Sequence, residues 1–142
     1  MTHLNYYIQA IYRCGAQFRG EKMTPYGLKP FHTSYIRQIC RHPGISQEGL
    51  AQRIFVNKSN VARQVSFLEE KGYIRREPSP EDKRIMQLYP TEQALALVEP
   101  IGDILKEWDG ILTQDLTEEE IETVSRVLIK MKQRAAEWVE GK

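Results

Sequence analysis

The sequence predicts a mainly α-helical chain with one small β-hairpin. Three observations point there. Apolar residues recur at helical spacing over most of the chain. Only residues 73–89 hold two short runs of β-branched and aromatic residues, separated by a proline-rich turn. The 142 residues are 41% hydrophobic and 27% charged, which suits a compact domain with an appendage rather than a disordered chain.

The first helix is expected over residues 4–18, with Leu4, Ile8, Ile11, Gly15 and Phe18 on one stripe. Arg19 to Gly27 contains Gly20, Pro25 and Gly27 and reads as a loop. A second helix starts near Lys29-Pro30, turns Phe31, Tyr35, Ile36 and Ile39 inward, and ends at His42-Pro43-Gly44. Ser46 caps a short third helix, Gln47 to Arg53, with Leu50 and Ala51 facing in. Asn57 caps a fourth, Lys58 to Lys71, whose Val61, Val65 and Leu68 share a face, and Gly72 stops it. Strands follow at Tyr73–Arg76 and Ile85–Tyr89, around a turn at Pro78–Asp82. Thr91 opens a long helix carrying Val98, Ile101, Leu105, Trp108 and Leu112. Thr117 and Glu118 to Glu120 form a capping box for the last helix, whose Ile121, Val124, Leu128, Met131, Ala135 and Trp138 make a narrow apolar seam. Such stripes need a partner, and a second subunit would supply one.

The net charge of +1 hides an asymmetry. Residues 1–90 hold 14 Lys and Arg against 7 Asp and Glu, whereas residues 91–142 hold 6 against 12. A basic first part with an acidic tail fits a nucleic-acid-binding module joined to a part that does not touch nucleic acid, although ordinary solvated faces give the same totals. No apolar run approaches the ~20 residues needed to span a bilayer. Met1 to Asn5 lacks the basic-then-apolar pattern of a signal peptide, so the expected location is the cytoplasm. Cys14 and Cys40 then read as free thiols. With only His3, His32 and His42 available, no spacing forms a metal site, and no cofactor is implied. Phosphate loops, zinc-hydrolase motifs and nucleophile elbows are missing, which argues against an enzyme.

The order helix, short helix, turn, helix, basic hairpin is that of a winged helix-turn-helix, with long N- and C-terminal helices for dimerisation. The fourth helix leaves Lys58, Ser59, Asn60, Ala62, Arg63 and Gln64 outward near its N-terminus, where short polar side chains and Arg read base edges and phosphates are favoured. On a helix taken alone these are simply solvated positions; the adjoining hairpin gives them a function. Its tip holds Lys83 and Arg84, which suit a narrow minor groove. Asp82 would hold Arg84 extended through a charge-assisted hydrogen bond, or form only a surface ion pair. With Ser46 at its start, the DNA-reading segment runs from Ser46 to Arg84.

Ser46-Gln47-Glu48-Gly49-Leu50-Ala51, Val56-Asn57-Lys58-Ser59-Asn60-Val61-Ala62-Arg63, Leu68 to Arg76, Pro80-Glu81-Asp82-Lys83-Arg84 and Leu88-Tyr89-Pro90-Thr91 together resemble the MarR family of transcriptional regulators. Asp82-Lys83-Arg84 matches the family's Asp-x-Arg wing signature, and Trp108 and Leu116 to Glu120 resemble its C-terminal helices. The resemblance implies a homodimer with a DNA-binding lobe at residues 28–90 and a dimerisation region at 1–27 and 91–142. It also implies a palindromic double-stranded DNA operator, and repression released by a small phenolic or aromatic effector or by an oxidant. Asn60, Ala62 and Arg63 fall on the family's recognition-helix contacts, Arg84 on its minor-groove arginine and Asp82 on that arginine's partner. Tyr12, Arg13, His32 and Tyr35 are the candidates for an effector crevice, and Cys14, beside Arg13, for oxidant sensing. Departures are Ala62 for Thr, Phe67 for a polar residue, and Gln93-Ala94 for Lys-Gly. The rival to a DNA reader is a winged-helix adaptor for protein contacts.

Overall fold

The computed structural model describes residues 3–141. In chain order the elements are α1 (Leu4–Met23), a 3-10 turn (Thr24–Tyr26), α2 (His32–Arg41), β1 (Ile45–Ser46), α3 (Gln47–Ile54) and α4 (Lys58–Glu70). Then come β2 (Ile74–Pro78), β3 (Met86–Pro90), α5 (Glu92–Leu95), α6 (Val98–Leu112) and α7 (Glu118–Glu140). The fold is therefore mainly helical with a small antiparallel sheet, a winged helix-turn-helix. One compact unit ends at Lys106 and a second begins at Glu107.

The core of the first unit comes from the faces that the apolar spacing selects. Tyr35, Ile36 and Ile39 of α2, Leu50 and Ala51 of α3, and Val61, Val65 and Leu68 of α4 are all buried. Each of the Val, Leu and Ile side chains among them contributes about 1.5–3 kcal/mol on burial. Ser46 and Asn57 are the expected caps: Ser46 Oγ accepts from Gly49 N at 2.9 Å and Asn57 Oδ1 from Asn60 N at 2.8 Å. The turn between α3 and α4 contains no glycine. Instead Phe55 takes a left-handed conformation, φ 59°, leaving its ring half exposed while Val56 packs against the core.

Several expected boundaries move. The helix α1 does not stop at Phe18 but continues through the supposed loop to Met23, whose side chain is fully buried. The break comes at Thr24-Pro25, where proline cannot continue the helix; Thr24 Oγ1 donates back to Gly20 O at 2.7 Å. Gly20 is kept within the helix, and a Cβ there would meet the Pro30 ring at an ordinary contact distance of 3.7 Å. The helix α2 begins at His32, and Phe31 lies outside it, 38% exposed rather than inward. Both hairpin strands run further toward the C-terminus than expected, so Pro78 ends β2 instead of opening the turn. It is tolerated because β2 is an edge strand.

A third strand was not foreseen. β1 pairs with β3 antiparallel, Ile45 opposite Leu88 and Ser46 opposite Gln87, giving the order β1-β3-β2. Two residues are too short to show an alternation. Nor does Thr91 open one continuous helix. It caps the four-residue α5, its Oγ1 accepting from Ala94 N at 3.3 Å and lying 2.7 Å from Gly72 O. The helix α6 then restarts at Val98. Pro100, in its first turn, has no N–H and its ring would clash with the Ala96 carbonyl of an unbroken helix. Ile101 and Ile104 are buried, whereas Val98 and Leu112 of the expected stripe are exposed.

The helix α7 has the expected capping box: Thr117 N donates to Glu120 Oε1 at 3.0 Å and Glu120 N to Thr117 Oγ at 3.1 Å. None of its described side chains is buried, and Val124, Leu128 and Trp138 are exposed. Leu4, Ile8 and Ile11 of α1 are exposed likewise. No helix among the described residues is long and apolar enough to cross a membrane.

Candidate nucleic-acid interface

The two capped helix starts, α3 and α4, and the wing tip position the polar side chains singled out above. Ser46, Lys58 and Arg84 meet around one cleft of ≈ 270 Å³, completed by Gln47, Glu48, Ile85 and Met86. Lys58 Nζ lies 3.0 Å from Glu48 Oε1, and both side chains are exposed. Ser59 Oγ donates to Asn57 Oδ1 at 2.9 Å, reinforcing the cap. Asn60 Oδ1 accepts from Arg63 Nη2 at 3.2 Å. Ala62 is half-buried and presents a methyl group where a hydroxyl would be a donor. Gln64 is also half-buried, its Oε1 engaged from behind by His32.

At the wing, Ser79 N donates to Ile85 O at 2.7 Å and Ile85 N to Asp82 O at 2.9 Å, which closes the hairpin. Asp82 faces back along the turn. Its Oδ1 accepts from Arg84 N at 3.0 Å and Nε at 3.1 Å, and its Oδ2 from Arg84 Nη2 at 3.1 Å. These bonds from Arg84 hold the Asp82 carboxyl below the usual carboxylate range and raise the Arg84 guanidinium above its own. The Arg84 side chain is nevertheless 90% exposed. A local carboxylate thus fixes an arginine in an outward pose, while Lys83 beside it is exposed.

Behind α4, Glu69 fastens the helix to the wing. It accepts from Arg76 N at 3.2 Å, Nε at 3.2 Å and Nη2 at 2.9 Å, and these bonds lower its carboxyl's pKa. Arg76 also reaches Gln47 Oε1 on α3 at 3.5 Å. Reading the sequence missed this clamp. Its only signal is a carboxylate near a helix end followed seven residues on by an arginine in a strand.

A second cleft, ≈ 550 Å³, lies on the other flank of α4. Tyr12 and Tyr35 line it as expected of a crevice, with Phe31, Asn60 and Gln64. Arg13 and His32 do not line it. One residue along a helix turns a side chain by about 100°, so Arg13 is exposed elsewhere, and it is Arg19 that reaches the cleft, 5.6 Å from the Tyr12 ring. His32 is 1% exposed and built into the core: Phe67, the aromatic in place of a polar residue, stacks on it at 5.0 Å with planes 6° apart. Burial lowers the His32 pKa, Lys29 adds to that, and Gln64 opposes it. Arg37, not foreseen, also lines the cleft. Tyr35 Oη is buried with no hydrogen-bond partner among the described residues; burial raises its pKa and nearby Arg63 opposes the rise.

The cysteines are both free: Cys14 is exposed on α1, and Cys40 is partly buried, which pushes its thiol pKa up. Among the described residues no three His, Cys, Asp or Glu side chains are grouped to hold a metal.

Comparison with known proteins places this fold in a family. A sequence model described as the MarR family matches residues 26–85. An uncharacterized HTH-type transcriptional regulator of Bacillus subtilis, YybA, is 32% identical over 98 residues, covering 69% of this chain and 65% of that protein. The chain spans 52–66% of the length of the curated relatives it matches. A MarR transcriptional regulator from Methanosarcina mazei superimposes with a TM-score of 0.90 at 25% identity, covering 94% of this chain and 96% of that one. A Listeria monocytogenes protein solved with a 26mer DNA has the same fold, with a TM-score of 0.90 at 24% identity over 96% and 91% of the two chains. The chain is thus similar to the MarR family in sequence over residues 26–85 and in fold over nearly its whole length.

Proposed function

We propose that this protein is a transcriptional regulator that binds an inverted-repeat DNA operator as a homodimer, most simply as a repressor. The observation that carries the reading is the wing-tip Arg84, held outward by Asp82 beside the cleft that also contains Ser46 and Lys58. An arginine so fixed suits insertion into a narrow minor groove while the first turns of α4 face the major groove. The uncovered apolar side chains of α1 and α7 supply the reason for a second subunit. The DNA complex of the Listeria relative is in keeping with this role. A location in the cytoplasm, where the DNA is, follows from the same reading.

Release of DNA is assigned to a small aromatic acid. The ≈ 550 Å³ cleft has aromatic walls in Tyr12 and Phe31 and guanidinium groups in Arg19 and Arg37. Clefts of this size hold small ligands. Asn60 and Gln64 line the same cleft from α4, so an occupant would touch the DNA-reading helix directly.

Selection of bound sequences from random duplex DNA, at near-physiological salt, tests the reading. An enriched inverted repeat with half-sites about one helical turn apart is the expected result, and aromatic acids should then release that DNA. A folded protein that enriches no sequence would overturn the regulator in favour of a protein-contact adaptor.

A further inference from the structure

Gln64 connects the interior of the lobe to the outward face of α4. Lys29 N–H donates to His32 Nδ1 at 2.9 Å, so that nitrogen carries no proton. The ring proton is on Nε2, which donates to Gln64 Oε1 at 2.8 Å. With its oxygen held inward, the Gln64 amide turns its NH2 toward Asn60 Oδ1, a long contact at 3.5 Å. The same Asn60 oxygen accepts from Arg63 Nη2 at 3.2 Å. A directed chain of hydrogen bonds therefore runs from the Lys29 backbone amide through the buried His32 ring to two side chains at the proposed DNA-reading edge.

We propose that His32 is a positioning residue for sequence discrimination, which, through the fixed amide of Gln64, presets the orientation of Asn60 and Arg63. The inference rests on the DNA-reading function proposed above. The chain has one self-consistent setting. A flipped Gln64 amide would set its NH2 against the Nε2–H, donor to donor, and the other His32 tautomer would set Nδ1–H against Lys29 N–H. Side chains already in their docking rotamers lose less entropy on binding, and a fixed donor penalises the wrong base pair.

The setting also depends on a neutral imidazole. A second proton would put Nδ1–H against Lys29 N–H and break the first link. The groups around the ring oppose that proton. Lys29 faces it from the segment before α2; Tyr35 of α2 meets it edge-on at 6.1 Å, with Arg63 near the tyrosine hydroxyl. From α4, Phe67 stacks on it and carries Lys71 Nζ over its own ring at 5.6 Å, leaving the Gln64 carbonyl as the favourable contact. Discrimination should therefore be lost in acid.

The test compares affinity for the selected operator with affinity for operators altered at one base pair, using the full-length protein. At the pair where Asn60→Ala relaxes preference, His32→Phe should relax it by about tenfold, with binding to unrelated DNA kept. The double variant should lose no more than Asn60→Ala alone, since both act on one contact. In the unsubstituted protein the ratio should fall as pH drops through the folded-state pKa of His32, which burial holds below the ordinary 6.5, and in His32→Phe it should be flat. A core role without relay would weaken binding to all sequences alike and leave the ratio intact, which would overturn the proposal. If His32→Phe does not fold, the unsubstituted pH profile decides, and a ratio that stays level until the protein unfolds overturns the relay. Absence of any preference at high pH in the unsubstituted protein would remove the regulator reading and the relay's role with it.

Discussion

Two substitutions at Asn57 should separate the stability of α4 from its use. Asn57 Oδ1 accepts from Asn60 N at 2.8 Å and from Ser59 Oγ at 2.9 Å. Asn57→Ala removes both acceptors. Loss of such a cap costs about 0.5–2 kcal/mol, and because Asn57 is exposed, water takes over part of the role and a value near 1 kcal/mol is expected. That amounts to roughly a fivefold change in the folded-to-unfolded ratio. Asn57→Asp keeps the acceptors and adds a negative charge at a helix N-terminus, worth about 0.3–1 kcal/mol in its favour. It should unfold at the same or higher denaturant than the unsubstituted chain. The same charge would repel phosphates near the first turn of α4, so Asn57→Asp should bind DNA more weakly, with a shallower rise in affinity as salt is diluted. Urea unfolding at one protein concentration and a salt series of DNA affinities give both numbers. An Asn57→Asp protein that is stable and binds DNA undiminished would show that the first turn of α4 does not approach the phosphate backbone. An Asn57→Ala protein that unfolds with the original would show that the cap contributes nothing.

Arg84→Ala should abolish preference for the selected operator while the melting temperature stays put, because the side chain is 90% exposed and is held by the exposed ion pair with Asp82. Asp82→Asn, which keeps the arginine but weakens its clamp, should fall between the two in a binding titration. Leu128→Asp places a charge in the exposed seam of α7 and should turn a dimer into monomers in sedimentation; a persistent dimer would mean that this seam is not the interface. Stability should fall with acid in two windows. His32 has a folded pKa below its ordinary 6.5, so its contribution is full above 6.5 and is lost as pH falls from there toward the folded value. Glu69, lowered from 4.5 by Arg76, contributes above 4.5 and loses that contribution as pH falls through its folded pKa. Unfolding free energies measured against pH should lose only the upper window in His32→Phe.

Much of the lobe was legible because its signals are local. Ser46 and Asn57 cap their helices through bonds three residues away, and Gly72, at φ 87°, stops α4 as its position implied. Val61, Val65 and Leu68 share a face by helical geometry alone. Asp82 and Arg84 are two residues apart in one turn, so their pairing needed no knowledge of the rest of the chain. Where the reading erred, a long-range contact outweighed a local cue. Gly20 and Pro25 suggested a loop from Arg19, but Met23 is drawn into the core and the helix persists to reach it. The strand β1 exists only because Leu88 and Gln87 are opposite it.

The sequence by itself determined the order of the first four helices and the wing hairpin, the buried faces of α2 to α4, the caps, and the charged residues near the proposed DNA-reading edge, since each depends on spacing along one helix or turn. The tertiary structure decided which of the candidates share a site. It grouped Ser46, Lys58 and Arg84 around one cleft, and Tyr12 with Tyr35 in another, added Arg19 and Arg37 there, and turned Arg13 and His32 away. His32 could not be read as a core residue in advance, because its environment is assembled from Lys29, Gln64 and Phe67, and a histidine's role is set by what its two nitrogens face.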